Sequence, residues 1–386
     1  MKDTLETESQ TKIHKAAWAE VNIGQIRKNL EIVRERVGSG VKVCGILKAD
    51  AYGHGLIGLK DILCKLGILD MTAVGKMSEL KLLFEQSAES DMDTLLLGMA
   101  DTDEVRELLK KDSRNSKRAI FSVFSRTQFE ELDRLGMELG VKIRVHIRID
   151  GWSSGMGIGM EEFLSCEDDL FRAENIRICG LYSHLYCSYS DDRELMQSEL
   201  ERFDRFVKQI GQEHRKQLRV HILNSSLVFA FPEYAYDMVR VGTAMYGLEC
   251  GDRGVLKPAM RICAEVFDVR EIDALAPLSY SKDTKQSGKR RIARIMLGYW
   301  DSPLLLTQQD VHIRIRDRLF SLADEVCMDN LCIDVTGADD IEIGDVAVLL
   351  GEDGVTVGEI LKRNHIHYVH SEWLCMTAGR LEKVYL

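Results

Sequence analysis

The strongest constraint on the fold is a regular alternation of strand-like and helix-like segments between residue 20 and about residue 250. The strand-like segments are apolar on both faces, which is typical of parallel strands covered by helices on both sides. Eight strand–helix units in about 230 residues predict an α/β fold with a (β/α)8 barrel of the TIM type. An open doubly wound sheet is the main alternative, and the strand count favours the barrel. The eight strand-like segments are VKVCGILKA, MTAVG, DTLLLG, RAIFSVF, KIRVHIRID, IRICGLYSHL, RVHILN and DMVRVG. Among the helix-like segments, residues 23–37 predict a helix before the first strand, and residues 193–214 predict one long helix.

A second domain is predicted after about residue 250, where the helical periodicity largely stops. Segments such as EVFDVREID, DVHIRIRD and IEIGDVAVLL are strand-like and are separated by turn residues. We therefore expect a barrel over residues 17–250 and a C-terminal, mostly β domain over residues 251–386.

Composition excludes several classes of function. The formal net charge of −11 argues against a nucleic-acid partner, because phosphate binding needs clustered basic residues. The ten cysteines contain no CxxC pair, so we expect neither a disulfide framework nor a metal site. The sequence has no apolar run near the ~18 residues of a membrane span and a polar start without a signal-peptide core, so we expect a cytoplasmic protein with no membrane contact.

Polar residues follow several of the predicted barrel strands, and a polar residue at that position is informative about function. Active sites of such barrels gather at the carboxyl ends of the strands, and phosphate groups often bind at the loops after strands 7 and 8. Each residue alone is also compatible with a structural role. Together with the helix-start pattern NSS, they predict a phosphorylated ligand, and a nearby lysine suggests pyridoxal phosphate. The residues are Lys48, Asp150, His184, Asn224, Ser225, Arg240 and Gly242.

The segment KADAYGHG at residues 48–55 closely resembles the cofactor-lysine motif of the alanine racemases, and the resemblance extends from about Ala17 to Arg380. These are pyridoxal-phosphate enzymes with an N-terminal barrel and a C-terminal β domain. The resemblance implies that Lys48 forms an imine with the cofactor and that Tyr52 lies near its phosphate.

Further motifs of the barrel match the same family. GLYSH places His184 behind the catalytic groups, and NSS places Asn224 and Ser225 at the phosphate. MVRVGTAMYGL is similar to the segment whose arginine faces the pyridine nitrogen, here Arg240, and whose Gly242 and Thr243 face the phosphate.

The second domain completes the implied site. PLSYS matches the segment of the catalytic tyrosine, Tyr280, and LGYWDS and VCMDN supply Tyr299, Met328 and Asp329 near the substrate. In the family these residues serve the other subunit, so the resemblance implies a head-to-tail homodimer. Lys48 and Tyr280 would be the two bases on opposite faces of the substrate, with Tyr280 connected through His184 to Arg240.

The sequence departs from the family where the substrate carboxylate is held. Gly155 stands where relatives carry a carboxylate-binding arginine, and Arg148 replaces a modified, anionic lysine. We hypothesise that Arg148 partly supplies the missing charge; a salt bridge within the barrel is the alternative. Met376 replaces a tyrosine near the phosphate, and Ser281 and Ser302 replace glycines.

The resemblance predicts interconversion of L- and D-alanine, which would feed D-alanine to cell-wall synthesis. Racemisation of serine or another amino acid is a second prediction, because the pocket wall is altered. A pyridoxal-phosphate binder with little or no racemase activity is a third, although the presence of Tyr280 favours an enzyme. Amino-acid decarboxylases share the barrel, but KADAYGHG and PLSYS are closer to racemases.

Overall fold

The computed structural model describes residues 17–86, 91–151, 156–248, 254–278, 288–306, 310–351, 354–365, 370–377 and 379–386. Two compact units account for the chain. One consists of Asn22–Ala259, and the other combines Met260–Leu386 with the N-terminal segment up to Val21.

The first unit contains the predicted parallel barrel. Its strands follow one another around the sheet in chain order, and each of the first seven pairs in parallel with its neighbour in that series. The last strand pairs with the first, and hydrogen bonds from Asp237 to Val220 and from Arg240 to Leu223 link it to the strand before. All eight predicted strands are confirmed. They are β2 (Lys42–Ile46), β3 (Met71–Val74), β4 (Thr94–Leu96), β5 (Ala119–Val123), β6 (Ile143–Asp150), β8 (Ile176–Tyr182), β9 (Arg219–His221) and β10 (Met238–Val241), with a short β7 (Ile158–Gly159) beside β6.

Helices lie between the barrel strands, and their limits follow from local chemistry. The first helix, α1 (Ile23–Val37), starts where the Asn22 side chain accepts the Gln25 N–H and buries Ile26, Leu30 and Val33 on one face. The helices of this unit are α1, α2 (Lys48–Tyr52), α3 (Leu56–Leu66), α4 (Met77–Gln86), α5 (Thr102–Lys111), α6 (Asn115–Arg118), α7 (Arg126–Leu139), α8 (Met160–Arg172), α9 (Arg193–Val207), α10 (Gln212–Arg215), α11 (Ser225–Ala230) and α12 (Thr243–Tyr246), with a 3-10 turn at Pro232–Tyr234.

One predicted helix is divided in the structure. Residues 193–214 read as a single long helix, but α9 ends at Val207 and α10 begins at Gln212. Gly211 has extended backbone angles, and its N–H donates to Glu167 Oε1 at 3.0 Å. This contact with α8 replaces the hydrogen bond that a continuous helix would have made.

The second unit is mainly antiparallel and is built around one long strand. The first half of β11 (Met260–Asp273) pairs with β1 (Trp18–Val21) and β16 (Val346–Leu350), and its second half pairs with β12 (Lys289–Ile295). The other elements are β13 (His312–Ile315), β14 (Arg318–Ser321), β15 (Leu331–Asp334), β17 (Glu382–Tyr385), a 3-10 turn at Pro303–Leu306, α13 (Val357–Arg363) and α14 (His370–Met376).

The division of the chain differs from the expected boundaries of 17–250 and 251–386. Residues 18–21 pair with β11 and β17 and so belong to the β unit, and the barrel unit extends to Ala259. The two helices near the C-terminus also add to the expected strands. Among the described helices, none is both long enough and apolar enough to cross a membrane.

Candidate active site

The predicted polar residues meet at the carboxyl-end rim of the barrel. Lys48 follows β2 by two residues, and His184 follows β8 by two. Asn224 and Ser225 start the helix after β9, whereas Arg240 lies near the end of β10 and is followed by Gly242. Because parallel strands end at the same rim, four separate stretches of sequence contribute to one site.

Lys48 is carried by a left-handed turn. Ala49, Asp50, Ala51 and Tyr52 have φ angles of 54–55°, a conformation that costs L-residues roughly 1–2 kcal/mol each. Tertiary contacts compensate for this cost. Asp50 Oδ1 accepts the Leu56 N–H at 2.7 Å, and Ala51 donates its N–H to the Leu47 carbonyl at 2.8 Å. Such strain concentrates at functional sites.

His54 supports the same turn from inside the protein. Its Nδ1 lies 3.0 Å from the Ala51 carbonyl oxygen and 3.2 Å from that of Tyr52, so Nδ1 is the protonated nitrogen. The ring stacks on Tyr246 with centroids 4.2 Å apart. Tyr246 in turn donates to the Ile46 carbonyl at 2.9 Å, which ties the turn to the end of β2.

A polar cradle lies where β9 and β10 end. Ser225 Oγ accepts the N–H groups of Gly242 and Ala244, each at 3.1 Å, and keeps its own hydroxyl hydrogen to donate. A Cβ on Gly242 would lie 2.8 Å from the Tyr52 hydroxyl oxygen, so only glycine allows this approach. Thr243 Oγ1 is buried and has no hydrogen-bond partner in the part of the chain that the structure describes. A ligand bound here would satisfy this buried hydroxyl.

Asn224 holds the start of α11 in place. Its Oδ1 accepts the Leu227 N–H at 3.2 Å, and its Nδ2 donates to Ser188 Oγ at 2.9 Å. By holding the backbone at the start of α11, the Asn224 side chain orients the neighbouring Ser225.

Arg240 is buried at the base of the site, and its contacts fix the protons of two histidines. Its Nη1 lies 2.7 Å from His221 Nδ1, and His221 Nε2 lies 3.0 Å from His146 Nδ1. Since arginine only donates, His221 accepts at Nδ1 and carries its proton on Nε2. That proton goes to His146, which then carries its own on Nε2. Both imidazoles are neutral.

The surroundings of His146 and His221 also favour the neutral forms of both rings. Burial, together with the nearby Arg219 guanidinium, lowers the pKa of His146 to about 3. Burial and then Arg240 lower the pKa of His221 well below 6.5. Arg240 also donates to the carbonyls of Ser183 and Ile222 at 2.9 and 3.2 Å, so its guanidinium is held firmly.

His184 lies in the open mouth of the barrel and keeps contact with water. Loss of hydration inside the protein is the main effect that lowers its pKa well below 6.5. The positive charges of Arg240, Arg148 and Lys48 lower the pKa further, so the ring is neutral at pH 7. Within the described residues, no hydrogen bond joins His184 to Arg240. The direct link expected between them is replaced by the bond from Arg240 to His221.

Arg148 lies near the end of β6, with its guanidinium carbon 5.7 Å from the Phe124 ring centroid and 5.9 Å from that of Tyr182. Among the described residues, neither Arg148 nor Arg240 has a carboxylate within 4.0 Å. The barrel salt bridge considered as the alternative for Arg148 is therefore not found in the described part of the chain.

The barrel mouth thus combines three cations with hydroxyl and N–H donors. Lys48, Arg148 and Arg240 all lie close enough to affect His184. Such a site suits a ligand that carries a phosphate and a further negative group. The described residues include no cluster of three or more His, Cys, Asp or Glu side chains that could hold a metal ion.

In the β unit, the expected substrate-side residues lie on two joined loops. The Tyr299 N–H donates to the Cys327 carbonyl at 3.0 Å, and the Trp300 N–H donates to the Met328 carbonyl at 3.1 Å. Met328 is exposed. These bonds hold Tyr299 and Met328 next to each other.

Arg380 connects the same loops through two carboxylates. It donates to Asp301 Oδ1 at 2.9 Å and to Asp329 Oδ1 at 2.8 Å. Asp301 is buried and also accepts the Gly298 N–H at 3.0 Å. Asp329 is therefore held in an ion pair at the surface of the unit.

The remaining expected residues divide into two groups. Met376 ends α14 and is exposed, and the buried Ser302 hydroxyl lies 3.3 Å from that of Thr377. Tyr280, Ser281 and Gly155 lie outside the described residues.

Sequence reasoning missed three residues that shape the site. His146 and His221 stand inside apolar strand segments, and a polar residue within such a segment was the available signal. Glu79 lies in the first turn of α4, where an acidic residue is usual, so no signal distinguished it.

Known proteins match this chain over nearly its whole length. A family model described as "Alanine racemase, N-terminal domain" matches residues 21–250, and one described as "Alanine racemase, C-terminal domain" matches residues 259–385. "Alanine racemase 2" of Caldanaerobacter subterraneus subsp. tengcongensis is 28% identical over 379 residues, which cover 95% of this chain and 94% of that protein.

Solved structures have the same architecture. The alanine racemase of Clostridium difficile 630 in complex with cycloserine has a TM-score of 0.85 at 25% identity, covering 97% of this chain and 96% of that one. An alanine racemase of Bartonella henselae with covalently bound pyridoxal phosphate has a TM-score of 0.81 at 21% identity and covers 96% of this chain and 99% of its own, which supports the fold.

Proposed function

Because the chain belongs to the alanine racemase family, we infer that it is a pyridoxal-phosphate-dependent isomerase that interconverts L- and D-alanine. The observation that carries this inference is the barrel mouth, where the charges of Lys48, Arg148 and Arg240 all act on His184. Among the described residues, the two arginines have no carboxylate partner and the buried Thr243 hydroxyl has no hydrogen-bond partner.

The residues of the cradle fit the cofactor. We propose that its phosphate is held by the hydroxyls of Tyr52, Ser225 and Thr243 and by the backbone around Gly242, with Asn224 orienting Ser225. Support comes from Thr243 Oγ1, which no described residue satisfies, and from the hydrogen that Ser225 retains. Lys48 would bind the cofactor covalently.

Arg240 is proposed to face the ring nitrogen of the cofactor. When bound, pyridoxal phosphate acidifies the substrate α-carbon by accepting negative charge into its ring. A guanidinium does not give up a proton near neutral pH, so Arg240 would leave the ring nitrogen unprotonated. Its bonds to His221 and to two carbonyls hold it in place, and burial lowers its pKa only to about 10, so it stays charged near neutral pH.

Two residues are proposed to move the α-proton. The amine of Lys48 would exchange it on one face, and the phenol of Tyr280 from a second subunit would exchange it on the other. A free tyrosine has a pKa of about 10, so positive charge nearby must favour its ionised form. Arg148 and Arg240 would provide that charge, since neutral His184 does not.

Arg148 is proposed to bind the carboxylate of the substrate. Its guanidinium lies among Phe124 and Tyr182 with no acidic partner among the described residues, so it is available for an anion. This role would replace that of the arginine which the loop with Gly155 lacks.

We propose a head-to-tail homodimer in which each barrel mouth receives the β unit of the other subunit. Each unit carries exposed apolar side chains near the relevant residues: Met99, Tyr186 and Tyr189 in the barrel unit, and Trp300 and Met328 in the β unit. The proposed interface would remove these side chains from water. A cytoplasmic location is also proposed, because no disulfide joins the cysteines that the structure describes.

A screen of amino acids tests the proposed function. Purified protein loaded with pyridoxal phosphate is incubated with each L-amino acid, and the enantiomers are separated by chiral chromatography. D-alanine is expected to accumulate until the two enantiomers are nearly equal. Borohydride reduction followed by peptide mapping checks that the cofactor is on Lys48. If a protein loaded at Lys48 converts no amino acid, the inference of racemase activity is contradicted.

A further inference from the structure

Glu79 connects two separate loops through one carboxylate. It lies in the first turn of α4, and its Oε2 accepts the N–H groups of Gly75 and Lys76 at 2.8 and 3.0 Å. Its Oε1 accepts the N–H of Ala49 at 2.6 Å, thirty positions earlier in the chain. The first two bonds cap the helix, whereas the third reaches the turn that carries Lys48.

Lys48 runs along the same connection. A Cβ built on Gly75 would lie 3.2 Å from Lys48 Cβ, 3.6 Å from Lys48 Cδ and 3.5 Å from Glu79 Oε2. The lysine side chain therefore packs on the backbone between β3 and α4, and the absence of a Cβ on Gly75 lets it pack closely. The Glu79 carboxylate lies next to the same glycine.

The bond to Ala49 controls the direction of the lysine. Ala49 is the first of four left-handed residues, and its N–H belongs to the peptide that follows Lys48. Holding that peptide plane fixes the bond from Cα to Cβ of Lys48. A hydrogen bond from a backbone N–H to a carboxylate is stronger than one to a neutral acceptor, so this bond is well suited to hold a strained turn.

We propose that Glu79 is a positioning residue whose carboxylate orients Lys48 toward the cofactor. Only the role of Lys48 in this proposal rests on the proposed function, because the hydrogen bonds of Glu79 are present in the protein without cofactor. Glu79 does not touch the reacting atoms and acts through the peptide of Ala49.

Two variants of Glu79 separate orientation from helix capping. Glu79→Gln offers one acceptor in place of two, so it cannot keep both sets of bonds. Glu79→Asp is one methylene shorter and retains the charge next to Gly75 and Lys76, but it does not reach Ala49. Glu359→Gln is the matched control, because Glu359 Oε2 accepts the Gly354 and Thr356 N–H groups at 2.8 and 3.0 Å at the start of α13, in the β unit.

The first measurement uses protein without cofactor. Amide hydrogen exchange at Ala49, resolved by fragmentation mass spectrometry, is expected to accelerate at least about tenfold in both Glu79 variants, because the anchored N–H is released. Acetylation of the Lys48 amine should change in the same variants. Neither readout should change in Glu359→Gln.

The second measurement uses loaded enzyme. Both Glu79 variants are expected to lower kcat for L-alanine by about tenfold and to change KM by less than about twofold, because an interaction that orients the base is lost and substrate binding is retained. Exchange at Ala49 and kcat equal to those of Glu359→Gln would overturn the proposal, as would a Glu79→Asp enzyme with normal values of both. If the wild-type protein racemises nothing, exchange at Ala49 still tests the anchor.

Discussion

Thr243 carries a hydroxyl that no other described residue uses, although the side chain is buried. A buried hydroxyl without a partner is unfavourable in the protein alone and becomes favourable only when a ligand accepts its hydrogen bond. The same atom should therefore have opposite effects on the stability of the cofactor-free protein and on cofactor affinity.

Replacement of Thr243 by valine tests this directly. Thr243→Val is expected to leave the free energy of unfolding of the cofactor-free protein unchanged or raise it by up to about 1 kcal/mol, while the Kd for pyridoxal phosphate increases about tenfold. Urea unfolding and fluorescence titration measure the two quantities. Thr72→Val is the control, since the Thr72 hydroxyl lies 2.9 Å from that of Thr94, and its loss should destabilise the protein by about 1–3 kcal/mol. Clear destabilisation by Thr243→Val would contradict this interpretation.

Arg148 offers a second test at the scale of one residue. If it binds the substrate carboxylate, Arg148→Ala should raise KM for alanine at least about tenfold with a smaller change in kcat, because a charged hydrogen bond is lost from both the bound ground state and the transition state. Steady-state kinetics measure both constants. Arg177→Ala removes an exposed arginine from β8 and should change neither. Unchanged constants in Arg148→Ala would remove Arg148 from the site.

The buried histidine pair gives the barrel strands a dependence on pH. His146 on β6 and His221 on β9 are held neutral, with pKa values depressed below those of the unfolded chain. Below pH 6.5 the unfolded state therefore binds more protons than the folded state. Stability is complete above about pH 6.5 and decreases as the pH falls from there toward the folded pKa values.

Between pH 7 and pH 5, each histidine should lower the free energy of unfolding by about 2 kcal/mol. Urea unfolding at several pH values measures this slope. His146→Gln retains an acceptor for the His221 N–H and should remove about 2 kcal/mol of the decrease. His365→Gln, at an exposed position in the β unit, should leave it unchanged. An unaltered slope in His146→Gln would show that this histidine does not resist protonation in the folded state.

At the scale of elements, the sequence predicted the barrel well because its information is local. Each of the eight strands is a short apolar run, and α1 was predicted with its observed limits, Ile23–Val37. The assignment of β1 to the β unit was not predictable, since its partner β11 is about 240 positions away and no local pattern records that pairing. The break between α9 and α10 depends on a contact with Glu167 in another helix.

In the candidate site as well, some residues could be predicted from local sequence and some contacts could not. Residues at strand ends, such as Lys48 and Arg240, could be predicted because the ends of parallel strands meet at one rim. The bond between His146 and His221 could not, because it joins positions 75 apart and requires both rings to face the barrel interior. The same limit applies to Glu79, whose decisive contact is with Ala49.

For the whole molecule, the proposed dimer predicts that two inactive variants can restore each other. In a mixed dimer of Lys48→Ala and Tyr280→Phe, one site combines an intact barrel with an intact tyrosine, and the other site lacks both. Random exchange of subunits should therefore recover about a quarter of wild-type activity. Racemase assays after subunit mixing measure the recovery, and mass-labelled subunits confirm the exchange. Exchange without any recovery would contradict the shared site.

The central claim is that Lys48 and a tyrosine from a second subunit move the α-proton of alanine on opposite faces. The most direct measurement is incubation of the loaded enzyme with L-alanine in D2O, followed by separation of the enantiomers and mass analysis of each. Deuterium at the α-carbon of both L- and D-alanine is the predicted result. Both enantiomers without deuterium, or no D-alanine from protein whose Lys48 carries the cofactor, would contradict the account.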